Sequence, residues 1–230
     1  MKNNSFFWDI YAKLYDTLNL LEPYQRLHRE VLDKLELKGG ERILDAGCGT
    51  GNFEKLLSQN GSLNLKVEAL DFSQAMLKRA KLKNGNHSFN FQHFDLNGKL
   101  PFPDNYFDRV VSINAVYALK NPKMILGEFR RILKYGGRLV LATPQHKAGI
   151  LPIFFEHLKN GKIIYAFLAF PIFVLIGLIN VIILNRGARN HYHFLTKPEL
   201  LSLLDKNKFF NININSAYAD QAWLAQGVKE

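Results

Sequence analysis

The sequence predicts an α/β fold: a mostly parallel sheet of seven strands with helices on both faces, and a hydrophobic helical insertion before the last two strands. Three observations carry this. Residues 43–53 read as a short buried strand, a glycine turn and a helix start, the junction outside which open α/β sheets bind ligands. Apolar runs recur at 65–70, 89–94, 109–113 and 138–143, with stretches of helical period between the first two and between the last two. An uncharged run at 163–185 interrupts that alternation, after which helix and strand patterns resume.

In chain order, residues 5–36 have the spacing of two helices, through Phe6, Phe7, Ile10, Leu14 and Leu18, then Leu27, Val31, Leu32 and Leu35. Pro23 can begin the second, and Gly39-Gly40 is expected to end it. Ile43 and Leu44 are the buried end of the first strand, and Asp45 puts a carboxylate at its C-terminal edge. Gly47, Gly49 and Gly51 permit a sharp bend and a close approach of backbone to ligand. A helix continues through Phe53 to Leu57, and the second strand, 65–70, ends at Asp71. Asp71 stands 20 residues beyond Gly51, the placement of an acidic residue that can bond both hydroxyls of a ribose; it is equally placed to cap the helix Ser73–Ala80. Lys78, Arg79, Lys81 and Lys83 read as a solvated face that complements the helix dipole. Strand 89–94 leads to Asp95-Leu96, and strand 109–113 ends at Asn114. A helix from Met124 to Leu133 is expected to stop at Tyr135-Gly136-Gly137, before the fifth strand, Arg138–Thr143. Thr196 and Glu199 form a capping-box pattern for the last helix. Residues 209–215 and 221–228 are the final strand pair.

The composition narrows the function classes. Hydrophobic residues make up 47% of the chain, enough for a substantial core, and the single cysteine, Cys48, excludes an internal disulfide and suits a reducing compartment. Cys48 lies inside the glycine turn, where a small residue with its backbone near the ligand is expected. Asp9 and Asp16 interrupt the N-terminal aromatics, so no signal peptide is expected. The formal charge of +10 is concentrated in 145–197, where Lys147, Lys159, Lys162, Arg186, Arg189 and Lys197 oppose only Glu156. No basic run alternates with aromatics, so no nucleic-acid partner is expected, and no metal ligand set is assigned.

The turn at 45–51 resembles the Asp-x-Gly-x-Gly-x-Gly motif of the class I methyltransferases that use S-adenosylmethionine, in particular the small-molecule and lipid group with quinone, sterol and phospholipid enzymes. The resemblance runs from about residue 8 to 145 and again from about 190. It includes the phrase Leu100-Pro101-Phe102-Pro103-Asp104-Asn105-Tyr106-Phe107-Asp108 and the ending Gly136-Gly137 to Pro144. It implies a Rossmann-like sheet with an antiparallel final strand, and S-adenosyl-L-methionine as cofactor. It further implies that Asp45, Gly47, Cys48, Gly49 and Gly51 cradle the cofactor and that Asp71 takes the ribose hydroxyls. Phe72 and Met76 would flank the adenine, with core packing as the alternative; Asp95 would accept from the adenine amino group and Leu96 lend a backbone N–H, with a simple turn as the alternative for Asp95. Asn114 would lie under the transferred methyl. The pattern Tyr11-Ala12-x-x-Tyr15-Asp16 implies that Tyr15 closes over the cofactor, or else packs the helix pair. Relatives often carry two histidines where this chain has Tyr117-Ala118, so no histidine base is implied there.

The domain organisation expected is therefore residues 1–146 as N-terminal helices and cofactor half, 147–190 as an insertion, and 191–230 as the end of the same domain. By length alone 163–185 is a membrane-span candidate. One crossing would strand the last two strands across the bilayer from their sheet. That leaves a hairpin broken near Phe170-Pro171 at a membrane surface, or a soluble lid over a greasy substrate, or a buried core helix. Lys159, Lys162, Arg186 and Arg189 flank it as they would an anchor on anionic lipid.

Methyl transfer from a sulfonium needs nucleophile, methyl and sulfur in line and water kept out; it needs a base only for a protonated nucleophile. Tyr117, His146, His191 and His193 are the candidates to face an acceptor. The functions that follow are methylation of a lipid-like acceptor at a membrane surface by a cytoplasmic, peripheral or monotopic protein, a soluble methyltransferase for a small hydrophobic metabolite, or a non-catalytic cofactor-binding membrane adaptor. A dehydrogenase fits less well, because its dinucleotide turn wants glycine at Asn52.

Overall fold

The computed structural model of the chain describes residues 12, 15–59, 63–85, 89–145, 150–159, 171, 174 and 192–230. Seven strands form one sheet: β1 (Arg42–Ala46), β2 (Lys66–Asp71), β3 (Asn90–His93), β4 (Phe107–Ile113), β5 (Leu133–Pro144), β6 (Phe209–Ala217) and β7 (Ala222–Lys229). Their order is β3-β2-β1-β4-β5-β7-β6. β1 to β5 pair in parallel, and β7 runs antiparallel to both β5 and β6. The helices are α1 (Glu22–Leu35), α2 (Asn52–Ser58), α3 (Gln74–Lys83), α4 (Pro122–Ile132), α5 (Ile150–Lys159) and α6 (Lys197–Lys206), with a 3-10 turn at Asp16–Leu20. This is the Rossmann-like sheet with an antiparallel last strand.

Alternation along each strand divides the core in two. Leu44, Val110, Leu139 and Leu141 meet Ile125, Leu126 and Phe129 of α4 and Leu200 and Leu204 of α6 on one face. Their neighbours Ile43, Val111, Val140 and Ala142 meet Leu27, Val31 and Leu35 of α1 and Phe53 and Leu57 of α2 on the other. Both faces of the central strands are covered, which is why those strands read as continuous apolar runs rather than alternating ones.

Four local readings change. α1 ends at Leu35, with Glu36 left-handed at φ 47°, and not at Gly39-Gly40. Arg109 explains this: its guanidinium donates to the carbonyls of Leu35 (2.6 Å) and Glu36 (3.1 Å), and Arg138 pairs with the Glu36 carboxylate at 2.7 Å. The cap of α3 is Ser73, whose hydroxyl accepts from the Met76 N–H, so Asp71 is not the capping residue. Tyr135-Gly136-Gly137 does not separate α4 from a later strand; β5 begins at Leu133, and the irregularity in its pairing with β4 lies between Phe107 and Arg109. The residues of 5–36 just before α1 form a 3-10 turn at Asp16–Leu20, and most of the first predicted helix lies outside the described residues. The capping box on α6 is formed as expected, by Thr196 and Glu199.

The insertion at 163–185 lies outside the described residues except Pro171 and Val174, both exposed. α5, which leads into it, packs Ile153 against Leu18, Leu21 and Tyr24, and its Glu156 pairs with Arg26 of α1. Among the described residues no helix is long and apolar enough to cross a membrane.

Candidate functional site

The strand order reverses between β1 and β4, and the C-terminal ends of both open onto the same crevice. The chain leaves β1 at Asp45 and Ala46 and is folded towards β2 by two bonds, from the N–H of Gly47 (2.8 Å) and of Cys48 (3.0 Å) to the Leu70 carbonyl. Gly47, Gly49 and Gly51 all have positive φ, at 93°, 56° and 74°.

Space distinguishes the three. A Cβ on Gly47 would lie 2.3 Å from the Ala115 Cβ, so this glycine lets the loop after β4 close on the turn. A Cβ on Gly51 would lie 2.6 Å from Asn84 Nδ2, which donates to the carbonyls of Gly51 (3.0 Å) and Ala80 (3.1 Å) and ties the end of α3 to the turn. Among the described residues, a Cβ on Gly49 would meet only the Tyr15 ring, at 3.6 Å. The backbone at Gly49 is thus open to close approach, with Tyr15 over it. The Cys48 side chain points away, packed on Ala69, Leu77, Ala80 and Phe91.

Asp71 is held rather than free. Its Oδ2 accepts from the Gly49 N–H (2.9 Å) and its Oδ1 from the Ser73 N–H (2.8 Å). Burial raises its pKa above the usual carboxylate value, against the opposing bonds from Ser73 and Gly49. The Phe94 N–H donates to the Asp71 carbonyl at 3.0 Å, which brings Asp95 to the same edge. Asp95 Oδ1 accepts from the Asn97 N–H (3.0 Å) and Nδ2 (2.7 Å). Leu96 is buried in the core. The Phe72 ring lies 6.1 Å from that of His93, whose Nε2 bonds the Phe72 carbonyl at 2.8 Å. Met76 packs with Ala12, Tyr15, Ala75 and Tyr192. Asn114 is left-handed at φ 54° and donates its N–H to the Ala142 carbonyl at 2.8 Å, at the tip of β4 beside the glycine turn.

A second group sits on the β4 side. The Tyr117 ring stacks on Phe194 at 5.9 Å and meets Tyr192 at 5.3 Å. The His193 N–H donates to the Tyr117 carbonyl at 2.8 Å, and its Nε2 is buried with no partner among the described residues. Burial, and then Tyr192, push the Tyr117 phenol well above its ordinary pKa. Tyr15 is also raised, by burial first and then by Tyr24, with Tyr117 and Asp71 contributing, so it sits between the two groups. The sequence candidates Tyr15, Asp45, Gly47, Gly49, Gly51, Asp71, Met76, Asn114, Tyr117 and His193 therefore lie together around the C-terminal ends of β1, β2 and β4. His146 and His191 lie outside the described residues.

The sequence reading missed two features here. Glu54 of α2 is fully buried beside Asp45. The basic end of α3 is only partly a solvated face. Lys83 Nζ donates to Asp16 Oδ1 (2.6 Å), to Thr50 Oγ1 (3.2 Å) and to Asn52 Oδ1, and Arg79 pairs with Asp16 at 3.4 Å. Thr50 also donates to Asp16, at 2.6 Å. This network latches the segment carrying Tyr15 to the glycine turn. Burial alone would raise the Asp16 pKa, and the bonds from Lys83 and Thr50 reverse this and lower it. The stability it contributes is then present above the ordinary carboxylate range and is lost as pH falls through the lowered value. Lys83→Met is expected to cost about 1–3 kcal/mol in unfolding free energy, because Asp16 and Asn52 lose their shared donor. Denaturant melts check this, and an unchanged midpoint would show that the latch carries no load.

The methyltransferase domain family matches residues 44–141. The demethylmenaquinone methyltransferase of Staphylococcus aureus (strain MRSA252) is 29% identical over 95% of this chain and 90% of its own length. That of Tropheryma whipplei (strain Twist) is 32% identical over 63% of this chain; the match spans 60% of that protein. Among solved structures, an S-adenosylmethionine-dependent methyltransferase from Aquifex aeolicus superposes with a TM-score of 0.64 at 19% identity, over 96% of this chain and 98% of that one. Phosphoethanolamine N-methyltransferase 2 of Haemonchus contortus, solved with S-adenosyl-L-methionine, gives 0.62 at 16% identity, over 89% of this chain and 52% of that one. At such identities the structural likeness establishes the fold alone.

Proposed function

Because the chain belongs to the class I S-adenosylmethionine-dependent methyltransferases, we propose that it methylates a hydrophobic, lipid-like acceptor of the quinone-precursor type at a membrane surface. The observation that carries this reading is the near full-length similarity to a demethylmenaquinone methyltransferase. An aromatic group of Tyr117, Tyr192 and Phe194 beside the glycine turn, suited to a flat ring, supports it. So does the uncharged stretch 163–185 with its basic flanks.

The residues present fit the cofactor. Asp45, Glu54 and Asp71 bring three carboxyl groups to one end of the sheet, where a pyrophosphate would be repelled. S-adenosylmethionine carries a sulfonium, an ammonium and one carboxylate, a net positive charge, and no phosphate. Each Asp71 oxygen already holds one backbone N–H and has a lone pair left for a ribose hydroxyl. Gly49 admits the close approach, Tyr15 covers it, Phe72 and Met76 border the base, and Asp95 with the Leu96 N–H reads its edge. Gly47, Gly51 and the Cys48 backbone hold the turn in shape, and Asn114 stands at the transfer point.

When bound, the cofactor supplies an electrophilic methyl group on sulfur. The protein holds the acceptor in line with it and keeps water away. A hydroquinone reacts more readily as it loses a hydroxyl proton. His193 Nε2, buried and unpartnered among the described residues, is the group placed to take that proton. The Tyr117 phenol stays protonated and orients the ring by stacking and by its hydroxyl.

The protein is placed by this reading in the cytoplasm, attached peripherally through 147–190, with 1–146 and 191–230 completing one catalytic domain. Phe155 on α5, 57% exposed, extends the apolar surface leading into that segment. The test is methylation of a prenylated hydroquinone held in anionic liposomes. The full chain should pellet with the liposomes and methylate the prenylated acceptor at least about tenfold faster than its ring-only analogue, about 1.4 kcal/mol of discrimination. Deleting 160–187 should abolish pelleting and that preference while S-adenosylmethionine still binds. Equal rates on both acceptors by an unbound protein would refute the lipid reading.

A further inference from the structure

Asp45 and Glu54 present an unusual pairing beneath the glycine turn. Asp45, at the end of β1, is 2% exposed, and Glu54, in the first turn of α2, is 0% exposed. Their carboxyl groups lie within hydrogen-bonding reach of each other. Asp45 Oδ1 and both oxygens of Glu54 find no donor among the described residues. Two carboxylates cannot face each other ionised in a buried site without a cation, so one proton must lie between them.

Among the described residues the surroundings supply no cation of their own to replace it. From β2, Asp71 adds negative potential, and from the turn comes only the Cys48 thiol, itself pushed up by burial, Glu54, Asp71 and Asp45. From α3, Lys83 acts on Glu54, but its ammonium is held by Asp16, Thr50 and Asn52. Burial pushes Glu54 up to about 7 and Asp45 well above its ordinary value, Glu54 being the main electrostatic cause for Asp45. The position of Asp45 at the strand edge of the cofactor crevice makes the missing cation part of the ligand.

We propose that Asp45 and Glu54 act as a proton-sharing receptor: the pair holds one proton when the crevice is empty and releases it to solvent when the ammonium group of S-adenosylmethionine binds beside it, the ligand's own carboxylate facing away from the pair. This rests on the cofactor assignment above and adds Glu54 as a positioning residue for that cofactor. One proton leaves and one cationic charge arrives, so the buried charge stays balanced. Two consequences follow. Cofactor affinity rises with pH, by up to about tenfold per unit where one proton is exchanged. The free protein behaves oppositely. Glu54 binds its proton more tightly folded than unfolded, so this stabilisation is present below the ordinary glutamate range and is lost as pH rises through about 7.

The test is calorimetric titration of S-adenosylmethionine into the full chain in two buffers of different ionisation enthalpy, from about pH 6 to about pH 8. The wild type is expected to release close to one proton per cofactor at about pH 6 and fewer towards about pH 8, with affinity rising to a plateau. Glu54→Gln, the same shape without its own exchangeable proton, should bind with a smaller proton release and a shallower pH profile, and its ligand-free melting temperature should fall less steeply as pH rises. Binding by the wild type without proton release would overturn the proposal, as would undiminished release in Glu54→Gln. The wild-type titration decides the matter by itself if the variant does not fold. Absence of any S-adenosylmethionine binding by the folded wild type would instead overturn the cofactor assignment.

Discussion

Asp71→Ala is expected to weaken S-adenosylmethionine binding by about 100- to 10,000-fold. The proposed loss is two charge-assisted hydrogen bonds to ribose hydroxyls, each worth about 1.5–3 kcal/mol. The same substitution leaves the Gly49 and Ser73 N–H groups without their acceptor, so the turn also loses its shape. The fold itself should suffer less. Burial already disfavours the Asp71 charge, so removing the carboxylate also removes a cost. Asp71→Asn should fall between, since one amide oxygen replaces two and its NH2 group faces an N–H donor. Equilibrium binding alongside a thermal melt separates the two effects. Unchanged affinity in a folded Asp71→Ala protein would overturn the ribose assignment.

Gly47→Ala should be among the most damaging single-methyl changes in the chain. Its new Cβ would lie 2.3 Å from the Ala115 Cβ, and its φ of 93° is one that side chains rarely adopt. Backbone strain contributes about 1–2 kcal/mol and overpacking about 1–3 kcal/mol. Relief can come only by moving the loop that carries Asn114 and Tyr117, so transfer should fail even in molecules that fold. The double variant Gly47→Ala/Ala115→Gly separates the two costs: the steric part should return and the φ part should not. Denaturant unfolding of the single and the double variant measures both. A single variant as stable as the parent would contradict the packing described.

Much of this was legible because the central strands are covered on both faces and so announce themselves as apolar runs, each ending in a polar residue at the ligand edge. Asp45, Asp71 and Asn114 could be placed for that reason. Helix ends were harder, because distant side chains set them. Gly39-Gly40 is a good stop signal in isolation, yet Arg109 and Arg138 satisfy the last carbonyls and the carboxylate at Glu36, four residues before Gly40. Glu54 was invisible for a related cause: a glutamate in the first turn of a helix ordinarily faces water, and only the approach of α2 to the end of β1 buries it. Lys83 belongs to a run of basic residues that reads as solvated, and only its register on α3 turns it under Asp16. Asp71 was given two roles by its position. The structure assigns the helix cap to Ser73 and leaves Asp71 bonded to the turn.

The central claim is that this chain moves a methyl group rather than only holding its donor. Incubation of the purified full chain with methyl-labelled S-adenosylmethionine and a prenylated hydroquinone, under single-turnover conditions, tests it most directly. The account predicts one labelled, lipid-extractable product for each S-adenosylhomocysteine formed, with Asp71→Ala losing both. Tight binding of the cofactor with no methyl leaving it, on this acceptor or on a total lipid extract, would contradict the account and leave a cofactor-binding adaptor in its place.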